Sequence, residues 1–454
     1  MKRGTDESRD ECNYPKKKKE DTSPAPSLLS PAFYFTPVRL LPDRFNSQAL
    51  SLSNVLELVR PIASLHFNFM VDLSWLLSCY PVACRPTPIT IIVGEKTGTD
   101  ARTIRTEIAA KKLENVAIYP ARLPIPFGTH HTKLTILEAA GHIHVIVSTA
   151  NLVPGLSSSS SLHSMTFSGD WEAKTQLFYH VAAPIVDHDS ESVFSSDLLK
   201  YLKAYNIEAL SYWISRIQAA DFSAITDRLV FSVPGYHSGA MLRSYGHLSL
   251  RKLLASQEKK EEKGKSVIFV AQCSSIGSLG KEINTWVRGQ FLTSLNGGNS
   301  DTGSSRFFLV YPCVEDVRNS IEGYDAGCSL PYRAATDVRQ PWLRHVMCKW
   351  RSEANGRSKA MPHAKTFTKL VDGTPQWMLI TSGNLSKAAW GELQGNNEKL
   401  CVRSYEMGVL ITDPERMKLP YDYPLVKYSK TDEPWVTDKN YATPDSCGGT
   451  WIIS

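Results

Sequence analysis

The sequence carries one small set of reactive side chains twice. In the first half it reads His131-Thr132-Lys133, turns at Gly141 and reaches Asn151; in the second it reads His363-Ala364-Lys365, turns at Asp372-Gly373 and reaches Asn384. His and Asn lie 20 residues apart in the first copy (131 to 151) and 21 in the second (363 to 384). Imidazoles exchange protons near neutral pH, while ammonium and carboxamide groups donate to anionic oxygens. Two of each, with no carboxylates in the set to hold a metal, suit attack on a phosphoryl group. A single His-x-Lys reads as ordinary strand solvation or capping. Two copies with matched Asn spacing, in separate halves, read as one catalytic centre divided between domains.

The elements around the set must then act as positioning devices. Side chains two apart on a strand share a face, so His and Lys project together, and a hairpin return brings Asn back to their level. Residues 89–93 and 115–123 read as strands with a helix over 100–113 between them, and strands recur at 228–233, 267–271 and 307–311. Leu198, Leu199, Tyr201, Leu202 and Tyr205 recur at helical spacing behind Ser195-Ser196-Asp197, which reads as the capping cluster. The expected fold is α/β with mixed sheets.

A chain of 454 residues exceeds one ordinary core. With 42% hydrophobic, 10% aromatic and 21% charged residues, most of it can bury a core. The expected division is a polar tail over 1–28, one domain over 29–232 and a second over 233–454. Serine-rich 155–161, charged 257–265 and Gly/Ser/Asn-rich 296–305 read as surface insertions. No apolar run reaches membrane-spanning length and the first residues form no signal peptide, so no membrane is expected. Nine scattered cysteines, without a CxxC pair or zinc-ligand spacing, read as reduced thiols of an intracellular protein. Lys2-Arg3 and the lysines at 16–19 resemble a bipartite nuclear-import signal, making the nucleus the expected compartment.

The doubled motif resembles the phospholipase D superfamily and, within it, the tyrosyl-DNA phosphodiesterase family, enzymes that remove stalled topoisomerase I peptides from DNA 3′ ends. The superfamily places Asp five positions after the Lys; Glu138 and Leu370 stand there, and Leu370 breaks the pattern as that branch does, with Glu138 read as incidental. Further matching stretches include 128–133, 274–280, 322–332, 381–391 and 403–409, so that the resemblance runs from about Phe45 to Trp451. It implies two similar α-β-α domains related by a pseudo-twofold axis.

The resemblance implies that His131 attacks phosphorus to give a phosphohistidine, while His363, charged at the start, protonates the departing tyrosine phenolate and later activates water. Lys133, Lys365, Asn151 and Asn384 hold the non-bridging oxygens. Gln176 and Glu406 orient the two imidazoles, with their pairing left open. Phe127, which alone reads as core, is by the resemblance a candidate for stacking on a base, whereas His130 reads as a packed core histidine. Ser274, Ser275 and Ser278 are candidates to receive a phosphate, at a possible helix start. On the peptide side the candidates are Lys387, Ala388, Trp435 and the surroundings of Pro362.

No cofactor and no metal are expected, and a monomer. The partners implied are DNA 3′ ends, single-stranded or nicked, and the topoisomerase I peptide. A net charge of +6 suits a cleft that tracks one strand better than a surface that coats a duplex. Two competing readings are a phospholipase or cardiolipin-synthase-like lipid enzyme and a non-catalytic nucleic-acid-binding relative. The missing Asp, the lack of an apolar anchor and the basic tail argue against the first; two complete sets argue against the second.

Overall fold

The computed structural model describes residues 28, 30–154, 171–186, 188, 190–257, 264–299 and 306–453. The serine run at 155–161, most of the tail and parts of the two later insertions lie outside the described residues. The first half supplies strands β1 (Ala32–Phe35), β2 (Ala63–Phe67), β3 (Ile89–Gly94), β4 (Val116–Ala121), β5 (Leu134–Ala139), β6 (His142–Ser148) and β7 (Leu177–Pro184). There follow β8 (Arg228–Ser232), β9 (Gly235–Ser238), β10 (Val267–Gln272), β11 (Arg306–Val310), β12 (Met347–Cys348), β13 (Thr366–Val371), β14 (Thr374–Thr381), β15 (Glu392–Gln394), β16 (Lys399–Val402) and β17 (Glu406–Ile411).

Two seven-stranded sheets run β1-β7-β6-β5-β2-β3-β4 and β8-β17-β14-β13-β10-β11-β12, and β9, β15 and β16 form a small third sheet. The pairing senses also match. In the first sheet β2, β3 and β4 run parallel and every other neighbour is antiparallel; in the second, β10, β11 and β12 are the parallel set. This is the expected α/β fold of two like halves. The edge strand β8 of the second sheet lies before the 232/233 division expected from the sequence, because its partner is β17 rather than any strand of the first half.

Strand β3 shows why the sheets bury both faces. Ile89, Ile91 and Val93 pack with the helices Leu52–Val59, Leu73–Cys79 and Ala101–Ala110, whereas Ile92 faces the other way into a core shared by both halves. That shared core joins Ile136, Val145 and Tyr179 of the first sheet to Phe231, Met378, Met407 and Val409 of the second. The helix Val193–Lys203 fills it with Phe194, Leu198, Tyr201 and Leu202. Its N-cap is Ser192, whose side chain accepts from the Ser195 amide, so the predicted capping cluster at 195–197 lies inside the helix. Among the described residues no helix is long and apolar enough to cross a membrane.

Candidate active site

His131 and Lys133 occupy the extended lead-in to β5, and His363 and Lys365 that to β13, just before rather than within the strands. The backbone still returns as the repeat requires. Ser148 donates its amide to the Lys133 carbonyl at 2.9 Å, and Thr381 donates to that of Lys365 at 3.1 Å. Each lead-in also pairs with the opposite half: His131 donates its amide to the Tyr405 carbonyl at 3.0 Å, and Tyr405 donates its own to the Thr129 carbonyl at 2.9 Å. Symmetrically, His363 donates to the Thr175 carbonyl at 3.0 Å and Thr175 to that of Met361 at 3.0 Å. A cavity of about 120 Å³ is lined by His131, Asn151, Ser274, His363 and Asn384, with Phe69 on its wall.

The supports of the two imidazoles are crossed. His131 Nδ1 lies 3.0 Å from Glu406 Oε2, which also accepts from Ser382 Oγ at 2.5 Å. His363 Nδ1 lies 2.8 Å from Gln176 Nε2, while Gln176 Oε1 accepts from Thr149 Oγ1 at 2.6 Å. Each histidine is thus steered by a residue of the other half, which resolves the pairing the sequence left open. Thr149 and Ser382 each stand two residues before their Asn, so the sequence carries this hydroxyl as a further part of the repeat.

Those bonds assign the protons. His131 donates its Nδ1–H to the Glu406 carboxylate, which leaves its Nε2 lone pair unprotonated at the cavity. Because Thr149 fixes the Gln176 amide, its NH2 donates to His363 Nδ1 and the neutral ring carries its proton on Nε2. Burial, then the Lys133 charge, hold His131 below its usual value. Burial works to raise the Glu406 carboxyl, but His131, Ser382 and Lys133 together keep it below its ordinary value. Burial, then Lys365 and Lys133, hold His363 well below the usual imidazole range. Burial first and the two lysine charges second thus favour a neutral ring at rest, where the sequence reading expected it charged. Lys133 and Lys365 donate to the carbonyls of His131 and His363 respectively. Asn384 Oδ1 accepts from the amides of Ser274 at 3.1 Å and Ser275 at 3.0 Å, which fixes its amide.

A family model for tyrosyl-DNA phosphodiesterase matches residues 32–439. The chain belongs to the tyrosyl-DNA phosphodiesterase family. It is 46% identical to a probable tyrosyl-DNA phosphodiesterase of Caenorhabditis elegans, with 96% of each chain covered. It is 32% identical to tyrosyl-DNA phosphodiesterase 1 of Arabidopsis thaliana, over 94% of this chain and 78% of that one. The crystal structure of the yeast tyrosyl-DNA phosphodiesterase superposes with a TM-score of 0.69 at 19% identity, covering 90% of this chain and all of that one, and so shares its fold. The protein is a phosphodiester hydrolase of DNA repair.

Around the paired histidines of this member of the tyrosyl-DNA phosphodiesterase family the remaining expectations divide. Phe127 is 93% exposed, where its sequence alone read as core, and sits at φ +61° in the left-handed region. Its turn is clamped to the second half by Arg403 Nη1, which donates to the Pro126 carbonyl at 2.9 Å. Gly128 follows because a Cβ there would lie 2.1 Å from the Arg403 carbonyl oxygen. His130 is fully buried and bonded through both nitrogens, to the Asn68 carbonyl and the Tyr205 hydroxyl, which makes it a core histidine. Glu138 is tied to Tyr212 and Arg216, away from the centre.

Ser274 is buried at the cavity, Ser275 is half-buried and Ser278 exposed, but they form a loop after β10 instead of the possible helix start. Ile276 pairs there with Leu385, so the backbone is committed to a β-bridge. Lys387 is ion-paired to Glu392, and the Ala388 carbonyl accepts from Arg403 and Ser404. Trp435 cannot meet a peptide directly. It is fully buried, stacked with Tyr324 and Tyr441 and donating to the Gly327 carbonyl at 3.1 Å. Pro362 is likewise buried, in its bridge to Thr175. Among the described residues no cluster of His, Cys, Asp or Glu could hold a metal ion.

Proposed function

We propose that the chain hydrolyses the 3′-phosphotyrosyl bond between a DNA end, single-stranded or nicked, and a topoisomerase I-derived peptide, through a phosphohistidine on His131. The observation that carries the reading is the crossed pair of imidazoles, one backed by a carboxylate and the other by an amide, facing one cavity. His131 Nε2 forms a bond to phosphorus as the bond to the tyrosine oxygen breaks, and the developing imidazolium is stabilised by Glu406. His363 gives its Nε2 proton to the phenolate. Water then attacks the phosphohistidine, passing a proton to His363 and releasing a DNA 3′-phosphate and free His131. Lys133, Lys365, Asn151 and Asn384 supply the donors for the charge on the five-coordinate phosphorus.

For His363 to act as an acid it must first gain a second proton. The entering phosphodiester anion offsets the two lysines that keep the ring neutral. A cationic ring needs an acceptor at Nδ1, which Gln176 supplies by turning its amide over. Thr149 Oγ1 lies 3.1 Å from the Leu177 carbonyl, so its hydroxyl can donate there and accept from the turned amide. Phe127 supports a stacking role, because its exposure and its left-handed backbone both cost free energy that folding does not recover.

The deciding experiment is cleavage of a 3′-phosphotyrosyl oligonucleotide in excess EDTA, beside a phosphatidylcholine hydrolysis control. Cleavage of the oligonucleotide alone supports the reading. Loss of cleavage on chelation would overturn the metal-free mechanism, and lipid hydrolysis would favour the phospholipase reading.

A further inference from the structure

A second cavity, of about 360 Å³, lies between the first-sheet edge strand β1 and two second-half segments near 354–357 and 416–418, and it shares no lining residue with the catalytic one. Its wall includes Arg44, Arg357, Arg416 and Lys418. Arg416 is spent, since both its terminal nitrogens bond Asp227, at 3.0 and 2.7 Å. The other three have no carboxylate partner among the described residues. Arg357 is the telling one. It is 1% exposed, its Nη2 reaches the Phe45 carbonyl at 3.3 Å, and its Nη1 has no hydrogen-bond partner.

A buried guanidinium with an unmet donor is costly unless something anionic completes it. The fold holds it in place nonetheless. Its guanidinium carbon stands 4.5 Å from the centre of the Phe35 ring, the Lys418 ammonium lies 5.5 Å from the same ring, and the Arg44 guanidinium lies 4.7 Å from that of Phe45. Aromatic faces thus present three cations to one cavity, with Nη1 of the Arg357 guanidinium left open. That open donor, held in place by the Nη2 bonds to the Phe45 carbonyl and Asn46 Oδ1 and flanked by two further charges, suits a phosphoryl group, which carries up to two negative charges and three terminal oxygens, better than a single carboxylate. Phe33, on the same face of β1 as Phe35, adds an apolar wall beside them.

We propose that this cavity is a second phosphate-binding site, taking the phosphoryl group of a nucleotide, with Arg357 Nη1 as its central donor and Arg44 and Lys418 as its rim. The same chemistry is offered by a free nucleotide and by a strand that runs on outside the catalytic cleft. The cavity adjoins the machinery behind the acid histidine: Phe35 pairs with Leu177, next to Gln176, and the Arg357 segment reaches Thr175 through the Ala360 carbonyl, which accepts from Thr175 Oγ1 at 2.9 Å.

The test is equilibrium titration of the full chain with dAMP in phosphate-free buffer, with deoxyadenosine as the phosphate-lacking control. Two binding events are expected for dAMP, one at each cavity, and none of comparable affinity for deoxyadenosine at the second. The surface variant Arg44→Glu/Lys418→Glu should weaken one event by about tenfold or more, the loss of charge-assisted contacts, and leave the other unchanged. Arg357→Lys, which keeps the charge and loses the fork, should weaken the same event. Binding of dAMP that is insensitive to both variants, or no binding at all, would overturn the proposal, whereas a single event lost in both variants would place dAMP at this cavity alone and support it. A second arm identifies the source. If the double variant raises KM for a long 3′-phosphotyrosyl strand but not for a trinucleotide, the ligand is the substrate strand; if neither changes while dAMP binding is lost, it is a free nucleotide. The titration reads the site without any appeal to catalysis, so its failure and that of the proposed activity are separable.

Discussion

The two histidines differ in one atom of their supports, and this should divide their labour. A carboxylate on Nδ1 stabilises the positive ring that forms as His131 bonds phosphorus, whereas an amide leaves His363 free to cycle its proton. His131→Ala should abolish cleavage, while His363→Ala should let the DNA–protein adduct accumulate, read on a denaturing gel; no adduct would count against these roles. Glu406→Gln keeps the shape and removes the charge, and single-turnover kinetics should show adduct formation slowed about 10–100-fold. Thr149 acts one step further out, as a positioning residue. Thr149→Val should free the Gln176 amide, reduce kcat more than it raises KM and shift the alkaline limb of the pH–rate profile, and Thr149→Ser should restore both. An unchanged profile would show that the hydroxyl does not set the proton state of His363.

At the scale of elements, the two lead-ins are anchored less by their own strands than by the loops opposite them. Besides the paired backbone bridges, Lys174 of the first half is bonded to Glu322 of the second, both buried. Lys174→Met would take the buried ammonium away from that carboxylate, so the urea midpoint should fall by the equivalent of about 3 kcal/mol. Much of the site was legible in the sequence because period-2 alternation and a hairpin turn are local facts: His131, Lys133 and Asn151, with their second-half counterparts, could be grouped from spacing alone. The supports were not. Glu406 lies 275 residues from His131, and no periodicity reports a contact between halves. Trp435 failed for the same reason, since its burial depends on Tyr324 and Tyr441 arriving from elsewhere in the chain. Phe127 failed in the opposite direction, an apolar side chain held outside by a clamp on Arg403.

For the whole molecule, the shared core means that neither half should fold alone: residues 30–227 and 228–453 expressed separately should be insoluble or inactive, and soluble active halves would refute this. Acid should also dismantle the fold. Burial pushes His66, His130, His180 and His247 down to about 3 and His144 to about 4. The unfolded chain takes up these protons near pH 6.5 and the native chain does not, so stability is fully present above that pH and falls below it, by about 1.4 kcal/mol per pH unit for each such ring. The urea midpoint should drop steeply between about pH 6 and 4. We propose the nucleus as the compartment; a chain that stays nuclear after neutralising the lysines at 16–19 would exclude that signal. The crossed supports have one more consequence. A nuclease-like centre is dangerous to a genome if fragments of it work. Here a nascent or proteolysed chain bearing only one half holds an imidazole without the residue that aims it, so the chemistry is interlocked with completion of the fold, and an unfinished molecule carries no armed nucleophile.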